Sequence, residues 1–218
     1  MTIEYPPQPW DLRGDMYASV WRIPVGGVPS WPLPEGRQPL TVGGRLLLLT
    51  LWVDYREGGV LEYHEFITAL FTAHRRHVSG TIVQAWVDSP ASVNGGRELW
   101  SIPKDLAGID ISAPGRLMTA RLHIDGAELA SGQFRRRWRI PGRWTVPTHV
   151  TQHREGSPLH VPTTLRGTLE LGHSMVRVGT GGPLTFLEGH RPVISAAVRD
   201  FRFRVGAHGD KPDPLNVP

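Results

Sequence analysis

RLLLLTLWVDYREGGVLEYHEFITALF, residues 45 to 71, predicts a β-hairpin from its pattern alone. Residues 45 to 54 form a near-continuous apolar run, which is typical of a strand buried on both faces. Glu57-Gly58-Gly59 is typical of a hairpin turn, and residues 61 to 71 then return as a second strand. The two-residue period of a strand places Tyr63 and Glu65 on one face.

Further strands are predicted along the rest of the chain. They cover residues 80–88, 116–124, 127–139, 163–171 and 193–205, which are rich in β-formers and bounded by Gly and Pro. Residues 92 to 100 predict a short helix or turn that leads into a loop at Pro103 and Lys104. No internal repeat and no long helix is evident. Sequential antiparallel strands with short turns predict a mainly β fold, a closed or nearly closed barrel with a few short helices.

The domain organisation follows from length and proline placement. No flexible linker divides the 218 residues, so we expect one domain over residues 1–218. Residues 1–39 carry eight of the twenty prolines and are expected to form a wrapping arm, interrupted by a strand at residues 17–23. Residues 206–218 are expected to be a loose tail.

Composition excludes several classes of site. The chain has no cysteine, which rules out disulfides, a cysteine nucleophile and thiolate metal ligands. The start lacks the pattern of a signal peptide, and the longest apolar run, Leu46 to Val53, is too short to cross a bilayer. We therefore expect a cytoplasmic protein with no membrane partner.

A basic stretch, FRRRWRIPGRW, occupies residues 134 to 144. Arg135, Arg137 and Arg139 alternate with Arg136, Trp138 and Ile140, which predicts a strand with one charged and one mainly apolar face. No nucleic-acid-binding motif accompanies it, so we expect a solvated strand or an oligomer contact, with no nucleic-acid partner. A homo-oligomer is the expected assembly.

Lys104 is unusual because the chain has only two lysines beside 22 arginines. A lysine can lose its proton and condense with a carbonyl, whereas an arginine cannot. Lys104 follows Ile102 and Pro103, and this apolar setting is expected to lower its pKa through burial. The alternative is an ordinary solvated lysine at a turn. Lys211 lies in the polar stretch GDKPDP.

The surrounding motif resembles one family. Gly96-Arg97-Glu98-Leu99, Pro103-Lys104 and Leu106-Ala107 are similar to the GREL...PK.LA segment of the acetoacetate decarboxylase superfamily. Tyr63-His64-Glu65 also lies at the spacing before Arg97 that this family shows. The resemblance implies an antiparallel, cone-like β-barrel in which Lys104 forms a Schiff base and Glu65 is catalytic. It further implies Arg13, Tyr63, Arg97 and Trp100 as substrate-binding residues, with the register at Arg13 open to Gly14.

Two positions depart from the family's pattern. Asp105 stands where the decarboxylases carry a second lysine, and Thr50 stands where they carry a second acid on the preceding strand. A neighbouring cation therefore cannot lower the pKa of Lys104, so burial must do so. If Asp105 faced the amine, it would raise that pKa.

The expected function is that of a Schiff-base-forming lyase acting on a small keto acid, similar to a β-keto acid decarboxylase. The same imine also suits an aldolase or dehydratase with an aldehyde substrate, and a non-catalytic small-molecule-binding barrel is the third alternative. No cofactor and no metal is expected. His64-Glu65 begins a zincin-like motif, but Thr68 stands where the second histidine ligand would be.

Overall fold

The computed structural model describes residues 4–146 and 148–207 and shows a mainly β protein. Its described residues form one α-helix, α1 (Pro90–Trp100), and two 3₁₀ turns (Val25–Gly27 and Thr185–Leu187). The strands are β1 Trp10–Pro24, β2 Gln38–Pro39, β3 Thr41–Val42, β4 Arg45–Tyr55, β5 Tyr63–His74, β6 His77–Val87, β7 Lys104–Leu106, β8 Gly108–Ser112, β9 Leu117–Ile124, β10 Ala127–Arg139, β11 Trp144–Val146, β12 Val150–Arg154, β13 Ser157–Val161, β14 Thr163–Val178 and β15 Ile194–Val205.

The predicted hairpin is confirmed. Strands β4 and β5 pair antiparallel with Val53 opposite Glu65, and β6 continues the meander on the other side of β5. Gly58 lies in the connecting loop with a φ of 88°, a conformation that glycine adopts without steric cost. The later predicted strands also exist, as β9, β10, β14 and β15.

The N-terminal segment differs from the wrapping arm predicted for residues 1–39. Strand β1 is 15 residues long and lies between β4 and β15, in the middle of the sheet. The eight prolines lie at its ends and beyond them, so they leave its hydrogen-bond ladder intact. Of the predicted tail at 206–218, only Gly206 and Ala207 lie within the described residues.

The sheet is mixed and open, not a closed antiparallel cone. Its strand order runs β13-β12-β6-β5-β4-β1-β15-β14-β10-β9-β8, and the end strands β13 and β8 are not hydrogen-bonded to each other. Strand β7 runs parallel to β6, because α1 forms a crossover between these two strands where a hairpin would give antiparallel pairing. Val150 of β12 also pairs with β6 in the parallel sense.

Both faces of strand β4 pack against other parts of the protein, one fully buried and the other partly buried, which explains its near-continuous apolar run. One side of the β4–β5 pair, here named the aromatic face, carries Trp52 and Phe66 and packs against Met118 and Phe134 from β9 and β10. The other side, here named the lysine face, carries Val53 and Tyr63 together with other apolar side chains. The lysine face is covered by α1 through Val93 and Trp100.

Strand β10 carries a β-bulge that changes the predicted alternation of the basic stretch. Arg136 lies opposite Gly172, and Trp138 and Arg139 lie opposite Leu171 and Glu170, so Arg137 is the extra residue. Trp138 is 63% exposed and does not form part of a buried apolar face. The homo-oligomer stays a prediction.

Candidate active site

Helix α1 and strand β7 position Lys104. The Ser89 hydroxyl accepts the backbone N–H of Ser92 at 3.3 Å and caps the helix, and Pro90 follows as its first residue. Ser101 ends the helix in the left-handed region, with its N–H donating to the Arg97 carbonyl at 3.0 Å. The chain then enters β7 at Lys104, which lies beside Ala85 of β6. Lys104 is therefore held by a strand, not by the predicted loop.

Two adjacent glycines allow α1 to pack closely on its neighbours. A Cβ at Gly96 would lie 2.6 Å from Cδ of Lys104, and a Cβ at Gly95 would lie 2.4 Å from Cζ2 of Trp10. Both distances are too short for real carbon atoms. The Gly95-Gly96 pair therefore makes room for the lysine stem on one side and for a tryptophan on the other.

The Lys104 amine lies in an enclosed polar cluster on the lysine face. Its Nζ is 2.8 Å from Oε1 of Glu65, and the two side chains are only 4% and 3% exposed. Nζ also donates to the Ser92 hydroxyl at 3.0 Å and lies 3.5 Å from the Tyr63 hydroxyl. The Tyr63 ring centroid is 5.2 Å from Nζ. The structure thus brings together three of the residues predicted for the site, Lys104, Glu65 and Tyr63.

The electrostatics correct the expectation of a lowered lysine pKa. Burial lowers the pKa of Lys104. The charge of Glu65 and the interactions of the amine with Tyr63 outweigh burial, so the pKa of Lys104 is raised above its usual value. The amine is therefore an ammonium at neutral pH in the free protein. Its proton has to move before it can attack a carbonyl, and Glu65 is the carboxylate within reach.

Two stacked tyrosines border this ion pair. The rings of Tyr55 and Tyr63 lie 4.4 Å apart between centroids, and their positions face each other across β4 and β5. Burial, and then the charge of Glu65, raise the pKa of Tyr63 to about 12. Burial and the neighbouring Tyr63 and Glu65 raise the pKa of Tyr55 well above its usual value. Both phenols remain neutral donors at pH 7.

Sequence reasoning missed Tyr55 and Ser92. A signal for Tyr55 existed, because the two-residue period puts it on the face of Val53 and its hairpin partner is Tyr63. Ser92 lies four residues before Gly96, so one side of α1 presents both toward Lys104. This four-residue helical spacing is the signal that could have identified Ser92 from the sequence.

The other three predicted substrate-binding residues do not join the amine. Arg13 is exposed on β1, and its neighbour Leu12 is the one that packs on the lysine face. Arg97 is half exposed and its Nη2 lies 2.5 Å from Oδ1 of Asp105. Trp100 is buried, packs edge-on against Trp10 at 4.8 Å and donates to Gln8 at 3.1 Å. Trp100 thus fastens the end of α1 to the N-terminal segment.

The two departures from the family's pattern lie away from the amine. Asp105 alternates with Lys104 in β7 and is 65% exposed, so its carboxylate points outward to Arg97. Thr50 is buried on the aromatic face, where its hydroxyl accepts the Trp21 indole N–H at 2.9 Å. Because Glu65 is on the lysine face, Thr50 occupies the opposite side of the sheet from the ion pair.

Among residues 4–146 and 148–207, no three His, Asp or Glu side chains cluster in a way that could hold a metal ion. No helix within the same ranges has the length and apolarity needed to span a membrane.

These features define a protein built on one large mixed β-sheet, with an amine enclosed beside a carboxylate. Residues 33–175 match the family model of acetoacetate decarboxylase (ADC). This match spans well over half of the chain, so the protein belongs to the acetoacetate decarboxylase family. A search of curated proteins by sequence found no match.

Solved structures share the fold at low sequence identity. The enduracididine biosynthesis enzyme MppR complexed with pyruvate has a TM-score of 0.70 at 14% identity, over 93% of this chain and 90% of that one. MppR with the condensation product of pyruvate and imidazole 4-carboxaldehyde gives 0.70 at 15%, over 93% and 88%. The acetoacetate decarboxylase from Legionella pneumophila subsp. pneumophila str. Philadelphia 1 gives 0.69 at 14%, over 98% and 91%.

Proposed function

We propose that the protein is a Schiff-base-forming carbon–carbon lyase that acts on a small β-keto acid through Lys104. The observation that carries this proposal is the enclosed Lys104–Glu65 pair, with 2.8 Å between Nζ and Oε1. A buried ion pair is a weak device for stability, because desolvation of both charges offsets their attraction. An amine held beside a proton acceptor is, however, what imine formation requires.

The first step is proton transfer within the pair. Glu65 takes a proton from the Lys104 ammonium, and the neutral amine adds to the ketone carbon of the substrate. The proton held by Glu65 then returns to the carbinolamine hydroxyl, which leaves as water and gives an iminium ion. Ser92 and Tyr63 hold Nζ from two further directions, at 3.0 Å and 3.5 Å, and fix the direction of attack.

The second step breaks the carbon–carbon bond. The electron pair of the bond to the carboxylate moves into the iminium, so carbon dioxide leaves and an enamine remains. A proton adds to the enamine carbon, and water hydrolyses the resulting iminium to release the ketone and the free lysine. The enclosed setting favours loss of a charged carboxylate as a neutral gas, because the charge is poorly solvated there.

The proposal is tested by carbon dioxide release from a panel of β-keto acids. Lys104→Arg keeps the positive charge but cannot form an imine, and it is expected to lose turnover by at least about a thousandfold. Lys104→Gln serves as a second variant if the larger arginine disturbs folding. Lys211→Arg changes the other lysine and is the matched control, which should retain full activity. Turnover by a folded Lys104 variant would overturn the proposal.

A second candidate is aldol condensation followed by dehydration. Glu65 and the neutral Tyr63 phenol lie beside the amine, and the neutral Tyr55 phenol lies next to Tyr63, which together supply the acid and base groups that these steps require. MppR, which has the same fold, is described with a condensation product of pyruvate and an aldehyde. Mass spectrometry of pyruvate mixed with a panel of aldehydes would favour this candidate if a product appeared with the summed mass less one water. Saturable binding of keto acids without either product would instead favour a ligand-binding protein.

A further inference from the structure

An arginine-lined cleft of about 480 Å³ lies at one end of the aromatic face. The cleft is here named the arginine cleft because four arginines contribute to its lining: Arg136, Arg139, Arg143 and Arg199. The remaining lining residues include Thr168 and two acids, Glu170 and Asp200. Guanidinium groups in this number are typical of sites for oxyanions, since each offers several N–H donors in one plane.

The β-bulge in β10 assembles this cleft. Without a bulge, Arg136 and Arg139 would point to opposite faces of the strand, being three residues apart. The extra residue at Arg137 places Arg139 opposite Glu170, while Arg136 lies opposite Gly172 two positions along β14. Both arginines therefore project from the same face, as expected when a bulge re-aims a side chain.

The charges of the cleft do not cancel. Arg136 pairs with Glu170 at 2.7 Å, Arg143 with Asp200 at 2.6 Å, and Arg199 with Asp15 at 3.0 Å. Arg139 makes no ion pair or side-chain hydrogen bond with any residue that the structure describes. The cleft thus keeps at least one uncompensated positive charge, since Asp15 is also shared with Arg56, and its paired arginines retain N–H donors that a ligand can use.

A buried phenol beside the cleft has no partner. Tyr17 is 2% exposed, and its hydroxyl makes no hydrogen bond within the part of the chain that the structure describes. The guanidinium of Arg199 lies over the Tyr17 ring, 5.4 Å from its centroid, and Phe134 packs on it at 5.5 Å. A buried hydroxyl without a partner costs roughly 1–3 kcal/mol, and the Tyr17 ring supports the Arg199 guanidinium at the edge of the cleft.

We propose that the arginine cleft binds the dianionic oxyanion group of a small molecule, either a phosphate monoester or a dicarboxylate. Arg139 supplies the free charge, and Arg136, Arg143 and Arg199 supply further N–H donors. The cleft lies on the aromatic face, whereas Lys104 and Glu65 lie on the lysine face, so the sheet separates the two sites. The proposal therefore does not depend on the proposed function.

Titration calorimetry with the full chain tests this site. The two probes are inorganic phosphate and succinate, each at fixed ionic strength, so that preference for one identifies the class of oxyanion. Arg139→Gln is expected to weaken binding about tenfold or more, as for loss of a charge-assisted hydrogen bond. Arg135→Gln is the matched control, because it removes the same charge from the same strand but on the opposite face of the sheet. Tyr17→Phe removes only the buried hydroxyl and keeps the ring beside Arg199, so it should leave binding unchanged and raise the melting temperature slightly.

Saturable binding of either probe that Arg139→Gln weakens and Arg135→Gln preserves would support the site. Equal weakening by both arginine variants would show a general charge effect and overturn it. Absence of binding of both probes to the wild-type chain would overturn it as well. Unchanged binding in a folded Arg139→Gln variant would likewise contradict the assignment.

Discussion

Lys104 and Asp105 are neighbours in the chain, yet they form two ion pairs of very different character. The Lys104–Glu65 pair spans 2.8 Å between side chains that are 4% and 3% exposed. The Arg97–Asp105 pair spans 2.5 Å between side chains that are 53% and 65% exposed. Similar distances therefore occur in an enclosed site and in water, because alternation along β7 sends one side chain inward and the next outward.

The difference shows that burial, more than distance, decides how strongly the two charges of each pair depend on each other. Water screens the outer pair, so its two charges interact weakly. The inner pair has lost its hydration, and each charge now depends on the other. The Lys104–Glu65 pair is thus costly to break and ready for proton transfer. Loss of the Arg97–Asp105 pair is expected to change the free energy of unfolding very little.

The largest effect is expected for Glu65→Gln, which leaves a buried ammonium without its carboxylate. We expect the free energy of unfolding at pH 7 to fall by about 3–5 kcal/mol. Without Glu65, burial sets the pKa of Lys104 below its unfolded value, so the unfolded state binds more protons. Stability of the variant should then rise with pH up to about 10. Denaturant unfolding of the wild type and the variant at several pH values measures the loss of stability at pH 7 and its dependence on pH.

The control for this prediction removes both charges. A double variant, Lys104→Met with Glu65→Leu, is expected to recover most of the lost stability, since neither charge is left unpaired. Its folded state should form no imine. If Glu65→Gln were as stable as the wild type across this pH range, the pair would not be coupled as described.

A smaller effect is expected for Gly96→Ala, which tests the close contact over the lysine stem. The added methyl would lie 2.6 Å from Cδ of Lys104, so the helix or the lysine must move. Overpacking of this kind costs about 1–3 kcal/mol, partly offset by the better helix propensity of alanine. The clearer readout is the rate of imine formation, which should drop. Arg97→Ala on the exposed side of α1 should leave that rate unchanged.

The next effect concerns His64, which points to the aromatic face beside Glu65. Its Nδ1 lies 2.8 Å from Asp88 and its Nε2 3.5 Å from Asp54. Hydrogen bonds to Asp54 and Asp88 raise the pKa of His64 to about 9, although burial opposes them. Because this folded pKa exceeds the unfolded value of about 6.5, the stabilisation is complete below pH 6.5 and is lost as pH rises to about 9.

With solvent screening taken into account, this His64 contribution should be about 1 kcal/mol. Thermal unfolding of the wild type should show the decline between these pH values. His64→Gln should remove that part of the pH dependence. A variant with the same slope as the wild type would place the titration elsewhere.

The smallest effect is expected for Asp105→Asn in the outer pair. Loss of an exposed ion pair should change the free energy of unfolding by less than about 1 kcal/mol. Imine formation should be unaffected, because the Asp105 carboxylate points away from Nζ. A large loss of imine-dependent turnover in this variant would mean that Asp105 turns inward during the reaction, as an aldol or dehydration step would need.

The sequence predicted the hairpin, the later strands and the shared face of Tyr63 and Glu65, because a strand's two-residue period needs no long-range information. The parallel placement of β7 was not predictable from local pattern, since it depends on where α1 carries the chain. The raised pKa of Lys104 depends on a 2.8 Å contact between residues 39 positions apart. Arg13 and Arg97 were carried over from motif positions, and nothing in their spacing shows that they are exposed.

The bulge in β10 is a further feature that the local sequence pattern does not predict. The basic stretch predicted a strand correctly, but its alternation was wrong beyond Arg136, because one extra residue reverses every later side chain. A bulge leaves no clear mark in a run of arginines. The arginine cleft, which depends on that bulge, therefore lay beyond what the sequence indicates.

The most direct test of the central claim is borohydride reduction in the presence of a keto acid, followed by peptide mass spectrometry. If Lys104 forms an imine, reduction should attach the substrate skeleton to the peptide that contains Lys104 and leave Lys211 unmodified. The label should require both substrate and borohydride, and folded Lys104→Gln should remain unlabelled. A label confined to Lys211, or no label with any keto acid or aldehyde of the panel, would contradict the account.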